Sequence, residues 1–243
     1  MIPLFKSNFS IGKSILRLDK ASYDAKDSSN IYYLAVNSGL KDLVIVEDSM
    51  TGFLECHKNC QELNLNLIFG LRLVLWENDF SHKVIVFAKN KLGCQDLNLL
   101  STKYNTSGKK SFNTKVLKDN WSKNFLLYIP FYDSFLYTNL ISFSNLNPIL
   151  DFCEPIFFIE DNGLPFDNIM QNKVTEYCSD NQLVSLKSKS IYYNRKKDFT
   201  AYQAYKCICG RSFSRSITLD KPNLDHCSSD EFSFESYLEH ESS

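Results

Sequence analysis

The segment Asp42-Leu43-Val44-Ile45-Val46-Glu47-Asp48-Ser49-Met50-Thr51-Gly52 decides how this chain is read. Four consecutive apolar residues, three of them β-branched, predict a strand buried on both faces, as a parallel sheet requires. Two carboxylates and a turn follow at once. In α/β folds the loop at the carboxyl end of such a strand is where chemistry is placed. Glu47 and Asp48 are therefore the first candidate site residues.

Working outward, Ile31 to Ser38 has helical spacing and stops at Gly39, a predicted left-handed cap. On the other side, Gly52 to Leu63 reads as helix and Leu65 to Leu75 as the next strand. Val84 to Ala88 makes another strand and Cys94 to Tyr104 another helix. Strands at Phe125 to Ile129 and Ile156 to Ile159, a helix from Phe166 to Cys178 and a strand at Leu183 to Leu186 complete the series. The alternation predicts an α/β fold around a mainly parallel sheet, open or closed into a barrel. No linker separates halves, so residues 1–236 are expected to form a single domain, followed by an acidic tail at 237–243.

A chain of 243 residues buries roughly 70% or more of its unfolded surface and needs no covalent staples. Its formal net charge of −1 gives no global field towards nucleic acid or membrane. No apolar run approaches the roughly 18 residues needed to span a bilayer. The amino-terminal residues lack a basic segment followed by an apolar core, so a cytoplasmic location is expected, with the eight cysteines as thiols. Cys56, His57 and Cys60 form one small group and Cys207 and Cys209 another, but neither has the second pair a zinc site needs.

Charge is locally uneven. Lys103 to Lys123 holds six lysines against one Asp and reads as a mobile loop, while Lys187 to Lys197 holds five basic residues beside Tyr192 and Tyr193. The bland reading is a solvated face. The sharper one is contact with DNA through Lys109, Lys110, Lys115, Lys187, Lys189, Arg195, Lys196 and Lys197, with tyrosines stacking on bases. From Asp225 onward six acids occur without Lys or Arg, which reads as a fraying end.

Several catalytic patterns are missing. Gly12-Lys13-Ser14 has the ending of a phosphate-binding loop, but the glycine required five residues earlier is Ser7, so a surface turn is expected. No GxSxG occurs. The four histidines, His57, His82, His226 and His240, form no HxH or HExxH array, which argues against a polynuclear metal enzyme.

The order of segments nevertheless resembles the polymerase and histidinol phosphatase (PHP) domain, in the version at the amino terminus of the bacterial DNA polymerase III alpha subunit. Lys6 to Ser10 (KSNFS) is similar to the family's HSxYS, and Ser38 to Asp48 (SGLKDLVIVED) to its GLxALAITDH. Asn64 to Arg72 (NLNLIFGLR) is similar to IKPIIGxE, and Val84 to Leu97 (VIVFAKNKLGCQDL) to LLAKNxxGYxNL. Phe157 to Glu160, Ile208 to Ser212 and Glu231 to Ser236 resemble FxLE, IxTGK and EFYLKS in turn.

The resemblance implies a distorted (β/α)7 TIM-like barrel with a trinuclear metal centre at the carboxyl ends of its strands. Carried over residue by residue, the ligands fall on Leu4 and Lys6, on Glu47 and Asp48, on Arg72, on His82 or Lys83, and on Ser190 and Tyr192. Only Glu47, Asp48 and His82 could bind metal, so neither metal nor cofactor is expected. Removing cations from a ring of carboxylates leaves costly buried charge. Lys6 and Arg72 are expected to fill the space the metals would hold.

The function implied is a catalytically inactive domain that docks a replication protein, a polymerase or proofreading exonuclease subunit, with DNA a further partner and the membrane excluded. DNA synthesis is not expected, since 243 residues leave no room for a catalytic palm. The alternative is a metal-dependent phosphoesterase or 3′–5′ exonuclease with a reduced site built on Glu47, Asp48 and His82.

Overall fold

The structure, a computed structural model, describes residues 1–77, 79–108, 111–209 and 228–242. Its centre is a closed barrel of seven strands. These are β1 (Ile2–Phe5), β2 (Asp42–Glu47), β3 (Asn66–Glu77), β4 (Phe80–Ala88), β5 (Phe125–Ile129), β6 (Ile156–Ile159) and β7 (Val184–Ile191). Strand order follows chain order, and β7 closes on β1 through the pair Leu4 and Ser190.

The helices run α1 (Lys20–Asp24), α2 (Ile31–Asn37), α3 (Phe53–Glu62), α4 (Lys91–Thr106) and α5 (Thr114–Asp119). They continue with α6 (Phe135–Ser142), α7 (Asp167–Asp180), α8 (Phe199–Cys209) and α9 (Phe234–Glu241). The predicted stop after α2 is present, with Gly39 at φ +73°.

Strand alternation separates two apolar layers. On β2, Leu43 and Ile45 join the outer layer packed under the helices, which includes Ala35, Cys56 and Val174. Val44 and Val46 point inward, where they meet Leu4, Ile85, Phe87 and Phe158 in a separate cluster filling the barrel. The barrel is thus a packed core with chemistry confined to its ends.

The sheet is mainly parallel, as expected, with one strand reversed. β4 is antiparallel to both β3 and β5, while the remaining pairings are parallel. The cause is local: β3 ends at Glu77 and β4 starts at Phe80. A parallel crossover needs about a dozen residues, so so short a connection can only make a hairpin.

The stretch 103–123, expected as a mobile loop, contains the end of one helix and the whole of another among the described residues. α4 runs to Thr106, and α5 is anchored by buried Phe112 and Leu117 and capped by Asn113, whose Oδ1 accepts from Val116 N at 2.9 Å. The acidic end is helical too: α9 is capped by Ser233 and buries Phe234 and Tyr237.

Gly70 on β3 sits where β4 presses closest. A Cβ there would meet the Phe87 ring at 2.6 Å and Ile85 Cγ2 at 2.8 Å. Gly70→Ala is therefore expected to cost about 1–3 kcal/mol by overpacking the barrel interior. The check is the urea unfolding midpoint; an unchanged midpoint would show that this interior gives way freely.

Candidate site at the barrel mouth

The end of the barrel where the parallel strands finish opens into a cavity of about 190 Å³. Leu4, Val46 and Ile85 form its apolar floor, and the polar lining includes Lys6, Arg72, Lys83, Glu160, Ser190 and Tyr192. The barrel's period of two explains the roster. Residues two apart along each strand, such as Leu4 and Lys6, face the axis, and those nearest the mouth are polar.

Asp48 is the hub. Its Oδ1 accepts from Lys6 Nζ at 2.9 Å and from Arg72 Nε at 2.7 Å, and its Oδ2 accepts from Arg72 Nη2 at 3.2 Å. These two cations hold its carboxyl well below the usual carboxylate range despite burial. Burial pushes Lys6 below the ordinary lysine range, and repulsion from Arg72 adds to that. Arg72 moves the other way, with Asp48 raising it against the cost of burial.

Glu47 has a different job. Its side chain turns from the axis and accepts from Ser7 N at 2.7 Å and from the Ser10 hydroxyl. Ser10 Oγ also accepts from Asp48 N at 3.0 Å. Glu47 therefore pins the loop after β1 to the end of β2. Burial raises its pKa, and the nearby Lys6 ammonium works against that rise.

His82 lies elsewhere. Its ring is buried edge-on against Phe135, and neither nitrogen has a hydrogen-bond partner among the described residues. The neighbouring Lys83 lines the mouth instead, its Nζ 2.5 Å from Asp133 Oδ2. Of the two residues the sequence left open, Lys83 lines the mouth and His82 does not. Glu47, Asp48 and His82 do not converge, and no group of three His, Cys, Asp or Glu side chains suited to a metal occurs among the described residues.

The donor set at the mouth does not fit a trinuclear metal centre. Ammonium and guanidinium groups have no lone pair to give, and Lys6, Arg72 and Lys83 stand at three of the positions the family resemblance assigns to ligands. Leu4 offers none either. Ser190 spends its N–H and hydroxyl on Glu160, at 2.9 and 2.8 Å. Tyr192 is stacked between Tyr202 and Phe232.

Sequence reasoning missed Glu160 as a site residue, together with Tyr132, Asp133 and Lys206. Glu160 is buried, accepts from Asn162 Nδ2 at 2.9 Å as well as from Ser190, and has its pKa raised by burial. Its place at the end of β6, after Phe157-Phe158-Ile159, was the available signal. Asp133 and Lys206 gave none, because they reach the mouth from a tight turn with φ +62° and from α8.

The DNA-contact set is partly dismantled. Lys189 is fully buried, its Nζ donating to Asp161 O at 3.1 Å, because its position on β7 faces the helix layer. Lys196 is ion-paired with Glu231 and Glu239 at 3.0 and 2.8 Å. Tyr192 and Tyr193 are buried among aromatic rings and cannot stack on bases. Lys115, Lys187, Arg195 and Lys197 are exposed. Lys109, Lys110, His226 and residues 210–212 of the IxTGK-like turn lie outside the described residues.

No family model matches the chain, and no curated protein matches it. Solved structures similar to the chain include the following two. A protein from Bifidobacterium adolescentis named as a metal-dependent phosphoesterase shares 10% identity at a TM-score of 0.45, over 77% of this chain and 87% of that one. An amidohydrolase from Chromobacterium violaceum, with bound sulfate and no metal, shares 6% identity at a TM-score of 0.47, over 79% of this chain and 87% of that one. The chemistry of the mouth is read from its own residues.

Two expected outcomes follow from this geometry. Asp48→Asn leaves Lys6 and Arg72 facing each other without their shared anion. The loss is put at about 2 kcal/mol, below the 3–5 kcal/mol of a fully buried pair because Asp48 keeps contact with solvent. Denaturant unfolding measures it, and a loss near zero would show that the two cations need no partner.

The second concerns acid. Burial lowers the His82 pKa to about 4 from the ordinary 6.5. The unfolded chain then takes up a proton between those values and the folded chain does not, so this residue's contribution holds above pH 6.5 and is lost as pH falls towards 4. His82→Leu is expected to retain about 2–4 kcal/mol more of its neutral-pH stability at pH 4 than the wild type does. Parallel pH profiles for the two proteins would contradict this.

Proposed function

We propose that this chain is a PHP-type barrel in which fixed cations stand where the family holds metal, and that it works by binding and not by hydrolysis. The observation that carries the reading is the placement of Lys6 and Arg72 on the Asp48 carboxylate at 2.9 and 2.7 Å. Those two positions, one just after β1 and one on β3, correspond through the KSNFS and NLNLIFGLR segments to ligand positions of the family. A side-chain ammonium and a guanidinium neutralise the carboxylate, as divalent ions would, but offer no Lewis-acid centre and no activated water.

The partner class follows from the same resemblance. In the polymerase family this domain supports the polymerase body and can dock the proofreading exonuclease, so a replication protein is the proposed partner. That the chain has few means of hydrolysing an ester is supported by the scarcity of free bases at the mouth. Asp48 is held by two cations, Asp133 by Lys83, and Glu160 by Ser190 and Asn162.

The purified protein is expected to carry no stoichiometric manganese, zinc or iron by elemental analysis. It should hydrolyse neither phosphomonoesters nor 3′-ended DNA above background, and keep its melting temperature in chelator. It should bind a purified replicative polymerase or exonuclease subunit in a direct binding assay. Stoichiometric metal together with chelator-sensitive hydrolysis would overturn the binding-only reading.

A further inference from the structure

Helix α3 turns an unusual stripe towards the barrel. Its fully buried residues are Cys56, Asn59 and Cys60, where a helix packed on a sheet normally places leucine, isoleucine or valine. Cys56 and Cys60 stand at i and i+4, so their side chains share one face, one turn apart. Their Sγ atoms lie 4.0 Å apart, and the two residues are only 0% and 1% exposed. Tyr32 on α2 joins them. Its hydroxyl hydrogen-bonds to the Cys56 sulfur, and Asn59 Nδ2 donates to Tyr32 Oη at 3.5 Å. Two soft donors, with a chain of polar groups aimed at one of them, thus sit in a layer otherwise made by residues such as Ala35, Leu43 and Ile45.

The pair is badly placed for a disulfide. Residues one helical turn apart hold their Cβ atoms about 5–6 Å apart, and a disulfide needs roughly 3.5–4.5 Å. The same spacing suits a third atom between the sulfurs. Two metal–thiolate bonds of about 2.3 Å span roughly 4.6 Å when the ion lies on the line between them, and less when the unit is bent. A separation of 4.0 Å therefore needs little adjustment. His57 turns away to stack on Phe53, 6.0 Å between ring centres, and no third His, Cys, Asp or Glu joins the pair among the described residues. Two ligands are too few for zinc, which takes four. A soft monovalent ion is satisfied by two thiolates.

We propose that Cys56 and Cys60 form a two-coordinate site for a cuprous ion, buried between α3 and α2. The ion arrives as Cu(I), displaces both thiol protons and forms two Cu–S bonds; the two protons pass to solvent and no electron is transferred. The complex carries one net negative charge, which the Tyr32 hydroxyl stabilises as an outer donor. Entry is through the first turn of α3, which contains Cys56 and starts at Gly52 without a side-chain cap. No mouth residue takes part, so this site stands or falls independently of the binding-only function.

The test is anaerobic titration of the reduced full chain with Cu(I) held by a chromogenic chelator, bicinchoninate, followed by X-ray absorption at the copper edge. Cys207 and the exposed Cys209 are rival thiols, so a C207S/C209S variant is titrated alongside. One equivalent that is taken from the chelator by both proteins, releases two protons and shows two sulfur neighbours with no nitrogen or oxygen is expected. Cys56→Ala and Cys60→Ala should each abolish it, alanine keeping a small apolar group in the core. Tyr32→Phe should weaken it about 10–100-fold, as loss of an outer-shell partner does. Bound Cu(I) should raise the melting temperature of the wild type but not of the alanine variants, and circular dichroism confirms that each variant is folded. Where alanine unfolds the chain, Cys60→Ser serves as the second variant.

Copper that the C207S/C209S protein fails to retain, or that Cys56→Ala and Cys60→Ala still hold at full affinity, would overturn the assignment. So would the absence of any equivalent able to compete with bicinchoninate, which leaves the two thiols as plain core packing. Unchanged affinity in Tyr32→Phe would overturn the outer-donor role of that hydroxyl.

Discussion

One carboxylate organises the mouth of this barrel. Asp48 takes hydrogen bonds from Lys6 on the loop after β1 and from Arg72 on β3, so three neighbouring segments meet on its two oxygens. Each of those cations is costly to bury alone, and each makes the other's position harder to hold. The anion between them removes that conflict. Ser10 then couples the hub to its neighbour Glu47, by accepting from Asp48 N and donating to the Glu47 carboxylate. The loop after β1 is fixed as a result, and with it the approach of Lys13.

The architecture was largely legible in the sequence because barrel strands buried on both faces leave long apolar runs. Phe125–Ile129 and Ile156–Ile159 are bounded as the sequence suggested, and β2 lengthens by only one residue at each end. Strand direction was not legible. Periodicity reports which face is buried and is blind to polarity, so the reversal of β4 shows only in the brevity of the turn before it. Helices α6, α8 and α9 were missed for a related reason. Their apolar residues include many aromatics, such as Phe135, Tyr202 and Phe234, whose β propensity masks helical spacing.

The site was half legible. Strand-end positions, Lys6, Asp48, Arg72 and Ser190, follow from counting along strands, and all four bear on the mouth. Groups delivered by loops and helices, Lys13, Asp133 and Lys206, depend on tertiary docking that no local pattern encodes. Lys189 failed in the opposite sense. It sits in a basic run, but one step along β7 separates the axis-facing Ser190 from a side chain buried under the helix layer, and a basic run does not reveal that parity.

The seam between β1 and β7 has a temporal side. Leu4 pairs with Ser190, and Phe5 with Ile191, so the first and last strands of the barrel are partners. Contacts that distant in sequence form late, since loop closure precedes any gain from them. During synthesis on the ribosome, β2 can find β3, and β4 can find β3, long before β7 has emerged. Lys6 would then stand exposed at an open sheet edge with half its pocket still untranslated. The mouth can therefore take its final shape only once the last strand has docked, because Ser190 and Tyr192 reach it from that end of the chain.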